Sequence, residues 1–517
     1  MNGSRARHFY VYAAVALGGA AVLYLGWLGL VGRLGFPLDD AWIHQTYARN
    51  LVLYRQFAYV PGITSSGSTA PLWTMLLALA YLLGVDPLLW GYILGALFLF
   101  TLGMGTFRLA FKLFPSRPRW AALAGLSVLL EWHLVWAAFS GMETLLFASI
   151  VVWLLERYMT WEIDQNREEG TKRRTFGTPF ALGILGGLLI LVRPEGILLL
   201  GLLLVAGLLV RRRRSLRRTL SIAADGAAGV GLLLIPYVVF NLLSNGSVFP
   251  NTFYAKQTEY AALLDVPLWI RLWRVLRPTL IGAQVMLVPG AIYAVICLWR
   301  SGEALPSQPH LSRFTRLVPV VWWALTLIVY ALRLPVDYQH GRYVMPTIPV
   351  LILFGVMGTL AWLRPRYASL PIRVVSRAVP WIVGLLLLGF LLLGARAYAN
   401  DVGMINCEMV ATALWLNENV PQDAVIAAHD IGAIGYFARR PLLDMAGLIT
   451  PDIIPFLRDE AQMLDFIRAQ QADFVVTFPS WYPQMVQDER LSVIYSTDCV
   501  LTVDQGGDNM AVYELLP

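Results

Sequence analysis

GFPLDDAWIHQTYARN (residues 35–50) sets two carboxylates, Asp39 and Asp40, just past an apolar run that begins at Phe9. Adjacent carboxylates repel, so such a pair calls for a cation, a metal or a proton to handle. A plainer role is also open: Asp39 is well placed to cap the helix that follows by accepting its first backbone N–H groups. Choosing between the roles requires the side of the membrane first, and that is read from the rest of the chain.

The chain has 517 residues, 57% of them hydrophobic and only 14% charged. Soluble proteins average about 25% charged residues, and apolar stretches of about 20 residues recur along this chain, so it reads as a polytopic α-helical membrane protein. The first apolar run is long and has no small-residue cleavage site, so it is expected to be an anchor. The three cysteines, Cys297, Cys407 and Cys499, form no CxxC pair and no zinc pattern. The net charge of +7 divides unevenly: residues 399–517 carry 17 Asp+Glu against 5 Lys+Arg, and the remainder carries 16 against 35. Two oppositely charged parts suggest two compartments.

Eleven spans are expected, at roughly 9–31, 88–111, 120–139, 144–160, 178–192, 196–210, 220–243, 279–299, 317–332, 345–363 and 378–398. The stretch PLWTMLLALAYLLG (71–84) is left out. As a helix it would be about 21 Å long against a hydrocarbon core of about 30 Å, so it is expected to be re-entrant or to lie in the interface. With residue 1 inside, the cytoplasmic segments hold 23 Lys+Arg, among them the run RRRRSLRR at 211–218, and the outer loops hold 10. Counting 71–84 as a span would push that run outside, against the positive-inside bias. The expected topology is a multi-pass cell-membrane protein with a cytoplasmic N-terminus. A transmembrane part, 1–398, carries a first outer loop at 32–87, and an extracytoplasmic α/β domain follows at 399–517. In that domain DAVIAAHD, ADFVVTF, LSVIYS and MAVYELL read as strands and EAQMLDFIRAQQ as an amphipathic helix. Cys407 and Cys499 both fall outside, where thiols can oxidise; the sequence leaves open whether they pair.

With that topology, ionisable residues gather at the outer ends of the helices. SGMET brings Glu143, VRPEG brings Arg193 and Glu195, NGSVFPNTFYAKQ brings Lys256, and VDYQHGRYVMP brings His340 and Arg342. Cations at the outer boundary oppose the topological bias. Single ones often only snorkel to lipid headgroups, and Glu beside a helix start can serve the dipole. Convergence on one face, tied to Pro and Gly turns, favours chemistry. A cationic cluster at the bilayer surface can hold a lipid phosphate and stabilise it as a leaving group, while a carboxylate beside it takes a proton from an incoming hydroxyl.

These segments resemble the polytopic glycosyltransferases of the C-type fold, which include protein O-mannosyltransferases, the aminoarabinose transferase acting on lipid A, and mycobacterial arabinosyltransferases. LDDAWIHQTYARNL resembles the family's acidic pair in the first outer loop, and SSGSTAPLWTMLLALAYLLG resembles its following loop and membrane-surface helix. SGMET, VRPEG, PNTFYAK and GRYVMP are similar to further family segments, and AAHDIGAIGYFARRPLLDMAGLITPD is similar to the outer domain of bacterial members. The resemblance implies an inverting transfer of a sugar from a polyprenyl-phosphate donor to a glycan, lipid or protein hydroxyl, with no nucleic-acid partner. It implies Asp39 as general base with Asp40 orienting, and Lys256, Arg342, His340 and Arg193 at the donor phosphate. Glu143, Glu195, Trp73 and Tyr254 would line the sugar pocket. The second acid of the pair is Asp where many members have Glu, so no divalent metal site is carried over. His429-Asp430 resembles a family segment that a strand-to-helix cap explains as well. A transporter or flippase would favour an inverted repeat and midplane charges. A surface-polysaccharide ligase or polymerase would favour a late, Arg-rich outer loop.

Overall fold

A computed structural model describes residues 3–32, 34–63, 65, 67–167, 177–210, 216–300, 305–363 and 370–516. Most of RRRRSLRR, and Ser66 in the first outer loop, lie outside the described residues. Every segment expected to span is helical. Among the described residues, six helices are long and apolar enough to cross a membrane, or eight if each of two bent pairs counts as one span. Two of the expected eleven, Thr178–Val192 and Gly196–Val210, have only 15 residues each. That length is about 22 Å and falls short of the hydrocarbon core.

Both bends have local causes. The span expected at 120–139 breaks between helices Pro118–Leu129 and Trp132–Ala138 because Glu131 turns its carboxylate onto the N–H of Leu134, restarting the helix at an angle of 55°. The span expected at 279–299 is the second arm of a 106° bend, helix Gln284–Arg300, which follows a surface-lying segment, Leu268–Leu280. That arm packs closely on helix Ile348–Trp362 through Gly290 and Gly358, where an added Cβ would strike backbone, and Gly355, where it would strike the Leu287 side chain. Ile348–Trp362 is buried almost throughout, whereas helices Gly3–Val31 and Leu216–Asn245 turn Val22, Leu30, Leu232 and Leu243 outward. Such outward apolar faces are what lipid covers.

The stretch 71–84 forms the 13-residue helix Pro71–Leu83, closed by Gly84 in the left-handed region. It buries Trp73, Thr74 and Leu77 and exposes Met75, Leu82 and Leu83.

The last transmembrane helix, Leu370–Ile405, is 36 residues long and runs through the boundary expected at 398/399. A π-helical turn, Asn406–Val410, then leads into helix Ala411–Asn419 and the C-terminal domain, the one expected to be outer. Its mixed five-stranded sheet has the order β2-β1-β3-β5-β4, with β1 Ile426–Ala428, β2 Leu442–Asp444, β3 Phe474–Thr477, β4 Leu491–Ser496 and β5 Ala511–Leu515. β1 pairs in parallel with β2 and β3, and β5 runs antiparallel to β3 and β4. Helix Glu460–Ala469 covers one face through Met463, Leu464 and Ile467. A disulfide joins Cys407 at the membrane end of the domain to Cys499 after β4, with Cα atoms 5.6 Å apart; Cys297 is free and buried.

Candidate active site

The two aspartates begin helix Asp40–Leu53, and consecutive positions on a helix point about 100° apart. Asp39 turns toward the outer domain. Its Oδ2 accepts the N–H of Gly432 at 2.6 Å and its Oδ1 that of Ala433 at 2.7 Å. Gly432 has to be glycine, because a Cβ there would collide with the Asp39 carbonyl. Burial drives the Asp39 carboxyl up to about 7 despite these two donors, and the Asp40 charge adds to the rise.

Asp40 turns the other way, into a narrow cavity of about 50 Å³ that it shares with His44, Glu143, Arg193, Lys256, Arg342 and Tyr343. Its Oδ2 pairs with Arg342 Nη2 and lies 3.7 Å from Lys256 Nζ. Burial works against ionisation, but these two cations outweigh it and hold the carboxyl below the usual carboxylate range. Tyr343 bridges them: its hydroxyl accepts from Lys256 Nζ at 3.0 Å and from Arg342 Nη2 at 3.1 Å. Burial raises the phenol, and the same two cations overcome that and bring it down to about 8. On the far wall Arg193 Nε donates to Glu143 Oε1 at 2.6 Å, and His44 Nε2 lies 3.6 Å from Glu143 Oε2. Burial opposes the charge on Glu143, yet Arg193 and His44 bring its pKa down; burial lowers His44, favouring the neutral ring.

Three elements hold the cations in place. Lys256 sits on helix Asn251–Glu259, which follows Pro250 and is pinned to the first outer loop by Thr252 Oγ1 donating to the Gly67 carbonyl at 2.6 Å. Arg193 follows directly on helix Thr178–Val192. Arg342 follows three successive residues in the left-handed region, Gln339, His340 and Gly341. Two non-glycine residues there store strain that surrounding contacts must hold. His340 supplies them: its Nε2 is 2.8 Å from Asp401 Oδ2, and its ring sits edge-on to Trp132 and Trp136, each at 5.2 Å.

Several polar atoms of the cavity residues lack hydrogen bonds. Nε and Nη1 of Arg342 are buried with none, while Nη1 of Arg193 and Oε2 of Glu143 reach only the longer ion-pair contacts to Glu195 Oε1 at 3.8 Å and His44 Nε2 at 3.6 Å. Buried donors are normally paired, so a cluster of vacant ones marks a place for an acceptor that comes from elsewhere.

Of the ten expected site residues, five line this cavity: Asp40, Glu143, Arg193, Lys256 and Arg342. The others have different partners. Asp39 holds the outer domain. His340, expected at the phosphate, is committed to Asp401. Glu195 accepts from the Tyr330 hydroxyl. Trp73, 1% exposed, donates from Nε1 to the Gly141 carbonyl at 2.8 Å. Tyr254 is 40% exposed and does not line the cavity. His44 and Tyr343 are cavity residues the sequence reading passed over, although both stand inside the segments that drew attention. Among the described residues no group of three or more His, Cys, Asp or Glu side chains is placed to hold a metal ion. Asp39 spends both oxygens on backbone donors and Asp40 pairs with two cations, so the acidic pair does not fit a divalent ion.

The overall arrangement matches solved structures. ArnT from Cupriavidus metallidurans bound to undecaprenyl phosphate superimposes with a TM-score of 0.59 at 16% identity, covering 97% of both chains. The chain has the C-type glycosyltransferase fold. The oligosaccharyltransferase AglB from Archaeoglobus fulgidus, in complex with an inhibitory peptide and a dolichol-phosphate, matches at 0.58 and 14% identity over 91% of this chain and 69% of that one. The mycobacterial arabinofuranosyltransferase AftD (mutant R1389S) matches at 0.51 and 14% identity over 99% of this chain and 42% of that one. Within the C-type fold, residues 394–513 match a family model described as a domain of unknown function, DUF8728. No curated protein matches the chain in sequence.

Proposed function

We propose that this protein is an inverting membrane glycosyltransferase that moves a sugar from a polyprenyl phosphate to an extracytoplasmic hydroxyl. The observation that carries the reading is the two unpartnered buried donors of Arg342, Nε and Nη1, in a cavity lined also by Asp40, Lys256 and Arg193. A phosphate brings the acceptor oxygens these donors lack. Solved C-type relatives carry undecaprenyl phosphate and dolichol-phosphate, which supports a lipid-linked donor. The Cys407–Cys499 bond supports an oxidising, extracytoplasmic setting for the outer domain, and the basic-residue bias supports a cytoplasmic N-terminus.

In the proposed reaction the acceptor oxygen bonds to the anomeric carbon as the bond from that carbon to the phosphate oxygen breaks. The electrons of the broken bond stay on the phosphate, held by Lys256 and Arg342, and the acceptor proton passes to a carboxylate. We assign that carboxylate to Asp40 in place of Asp39. Asp39 has the better-tuned pKa, but both its oxygens are occupied and it does not line the cavity. Reach comes before pKa in choosing a base. Without donor, Asp40 is a weak base because Arg342 and Lys256 stabilise its charge. A bound phosphate draws both cations to itself, and the Asp40 carboxyl then rises toward the working range. Donor binding thus switches the base on. Glu143, with His44, is left facing the sugar.

The test is mass spectrometry of lipid copurifying with the full-length protein. The expected result is a polyprenyl phosphate or its glycoside on the wild type, depleted in Arg342→Ala. A preparation that folds and carries no such lipid, even after incubation with polyprenyl phosphate, rejects the donor class.

A further inference from the structure

Beyond Lys256, the helix that carries it leads to a wall of different chemistry. Helix Asn251–Glu259 presents Lys256 toward Asp40 and, one turn on, Glu259 toward the outer domain. Glu259 Oε1 lies 3.9 Å from His429 Nε2, and His429 Nδ1 shares a 2.7 Å hydrogen bond with the Tyr482 hydroxyl. The ring of Trp481 stands edge-on to His429 at 4.8 Å, and 46% of this tryptophan is exposed. His429 is three residues before Gly432, whose N–H holds Asp39, so this edge is fixed to the start of the aspartate helix. Asp40 acts electrostatically on His429, Glu259 and Asp430 alike, which sets all three within its field.

We propose that Trp481, Tyr482 and His429, facing Glu259, form the acceptor subsite, and that its occupant is a neutral saccharide whose hydroxyl is presented to Asp40. The proposal rests on the glycosyltransferase reading for the direction of transfer. An exposed indole beside a row of short-range hydrogen-bonding groups suits a sugar ring, which has an apolar C–H face and a rim of hydroxyls. The charges agree. Burial pushes the His429 imidazole down to about 4 and pushes Glu259 up. Burial, reinforced by Asp39 and Asp40, pushes Asp430 up as well. The neutral His429 ring and the Tyr482 hydroxyl exchange hydrogen bonds with hydroxyls. The surrounding domain, with 17 Asp+Glu against 5 Lys+Arg over residues 399–517, repels anionic acceptors. Phosphate is therefore drawn to the cations around Asp40 and uncharged hydroxyls to the wall beyond Lys256.

Saturation-transfer NMR on the full-length protein in detergent tests this, using methyl glycosides and neutral disaccharides of hexoses and pentoses as probes. At least one disaccharide is expected to show transfer. Trp481→Ala should weaken its binding roughly three- to tenfold, the scale of one aromatic contact, while Trp481→Phe keeps most of it. Three results overturn the proposal: no probe binds, binding is equal in Trp481→Ala, or a short basic peptide binds through Trp481 instead. Copurifying lipid, measured on the same preparation, separates the two readings. Lipid phosphate without saccharide binding sinks the subsite alone. Trp481-dependent saccharide binding without lipid phosphate leaves the subsite standing and sinks the donor assignment.

Discussion

Two buried polar clusters among the helices are built alike and finished differently. Around Glu131 nearly every bond is made: Oε1 faces His133 Nδ1 at 2.7 Å and takes Gln284 Nε2 at 2.5 Å, while Oε2 caps Leu134. Only His133 Nε2 is left over. Around Asp40, four atoms on Arg342, Arg193 and Glu143 make no hydrogen bond, and the two on Arg342 have no ion-pair contact either. A saturated cluster fixes two bent helices to each other. An unsaturated one leaves buried donors open, and the proposed donor phosphate would meet them. Burial and charge are common to both, so neither property alone distinguishes a strut from a site.

That contrast can be broken most sharply at Asp40. Asp40→Asn keeps the shape but cannot take a proton, so transfer should fall by about 10²–10⁴-fold while copurifying lipid is retained, the scale of general-base catalysis. Near-normal turnover by a folded Asp40→Asn, with the loss appearing in Asp39→Asn, would return the base to Asp39. Arg342→Ala or Lys256→Ala should raise the barrier by about 2–4 kcal/mol in single-turnover assays, the range for a lost charge-stabilising group. Glu131→Gln tests the other half. It should cost about 1–3 kcal/mol of stability by leaving donors unmatched, with turnover per folded molecule unchanged. A turnover defect at full stability would make the Glu131 cluster functional after all.

The smallest expected effect is a pH drift. A carboxyl whose pKa rises from 3.8 unfolded to about 7 folded binds its proton more tightly when folded. Its contribution is therefore present at low pH and is lost as pH rises from about 4 to about 7. The melting temperature of the wild type relative to Asp39→Asn should fall by roughly a few degrees across that window and stay flat above it. A flat difference throughout would show that Asp39 is not buried by the outer domain in solution.

Much of this was legible in the sequence, and the misses have physical reasons. Short apolar runs exposed β1, β3 and β5, which bury them, and β-branched and aromatic residues exposed β4, an edge strand that buries none of its residues. β2 escaped because it has three residues, Leu442–Asp444, directly after Arg439-Arg440-Pro441, a signature that reads as loop. The helix at 71–83 was recovered from length alone. The bends at Glu131 and before Gln284 were not, because hydropathy averages over a broken span as readily as over a straight one. At the site, loop charges drew attention to five residues that do meet in one cavity, Asp40, Glu143, Arg193, Lys256 and Arg342. Those charges did not say which way a side chain points, so Asp39 and His340 were grouped with neighbours from which the backbone turns them away. His44 and Tyr343 were passed over because neither carries a charge at neutral pH to flag it.

The latch between Asp39 and the N–H groups of Gly432 and Ala433 bears on how such proteins can be recombined. A chimera made by cutting the chain near residue 405 and grafting another outer domain would strand Asp39 unless the incoming loop offered two backbone donors and a residue without a Cβ at the same place. The natural unit of exchange is therefore not the outer domain by itself. It is the domain together with the beginning of helix Asp40–Leu53, more than 350 residues away in sequence, and any graft that keeps activity should keep both from the same parent.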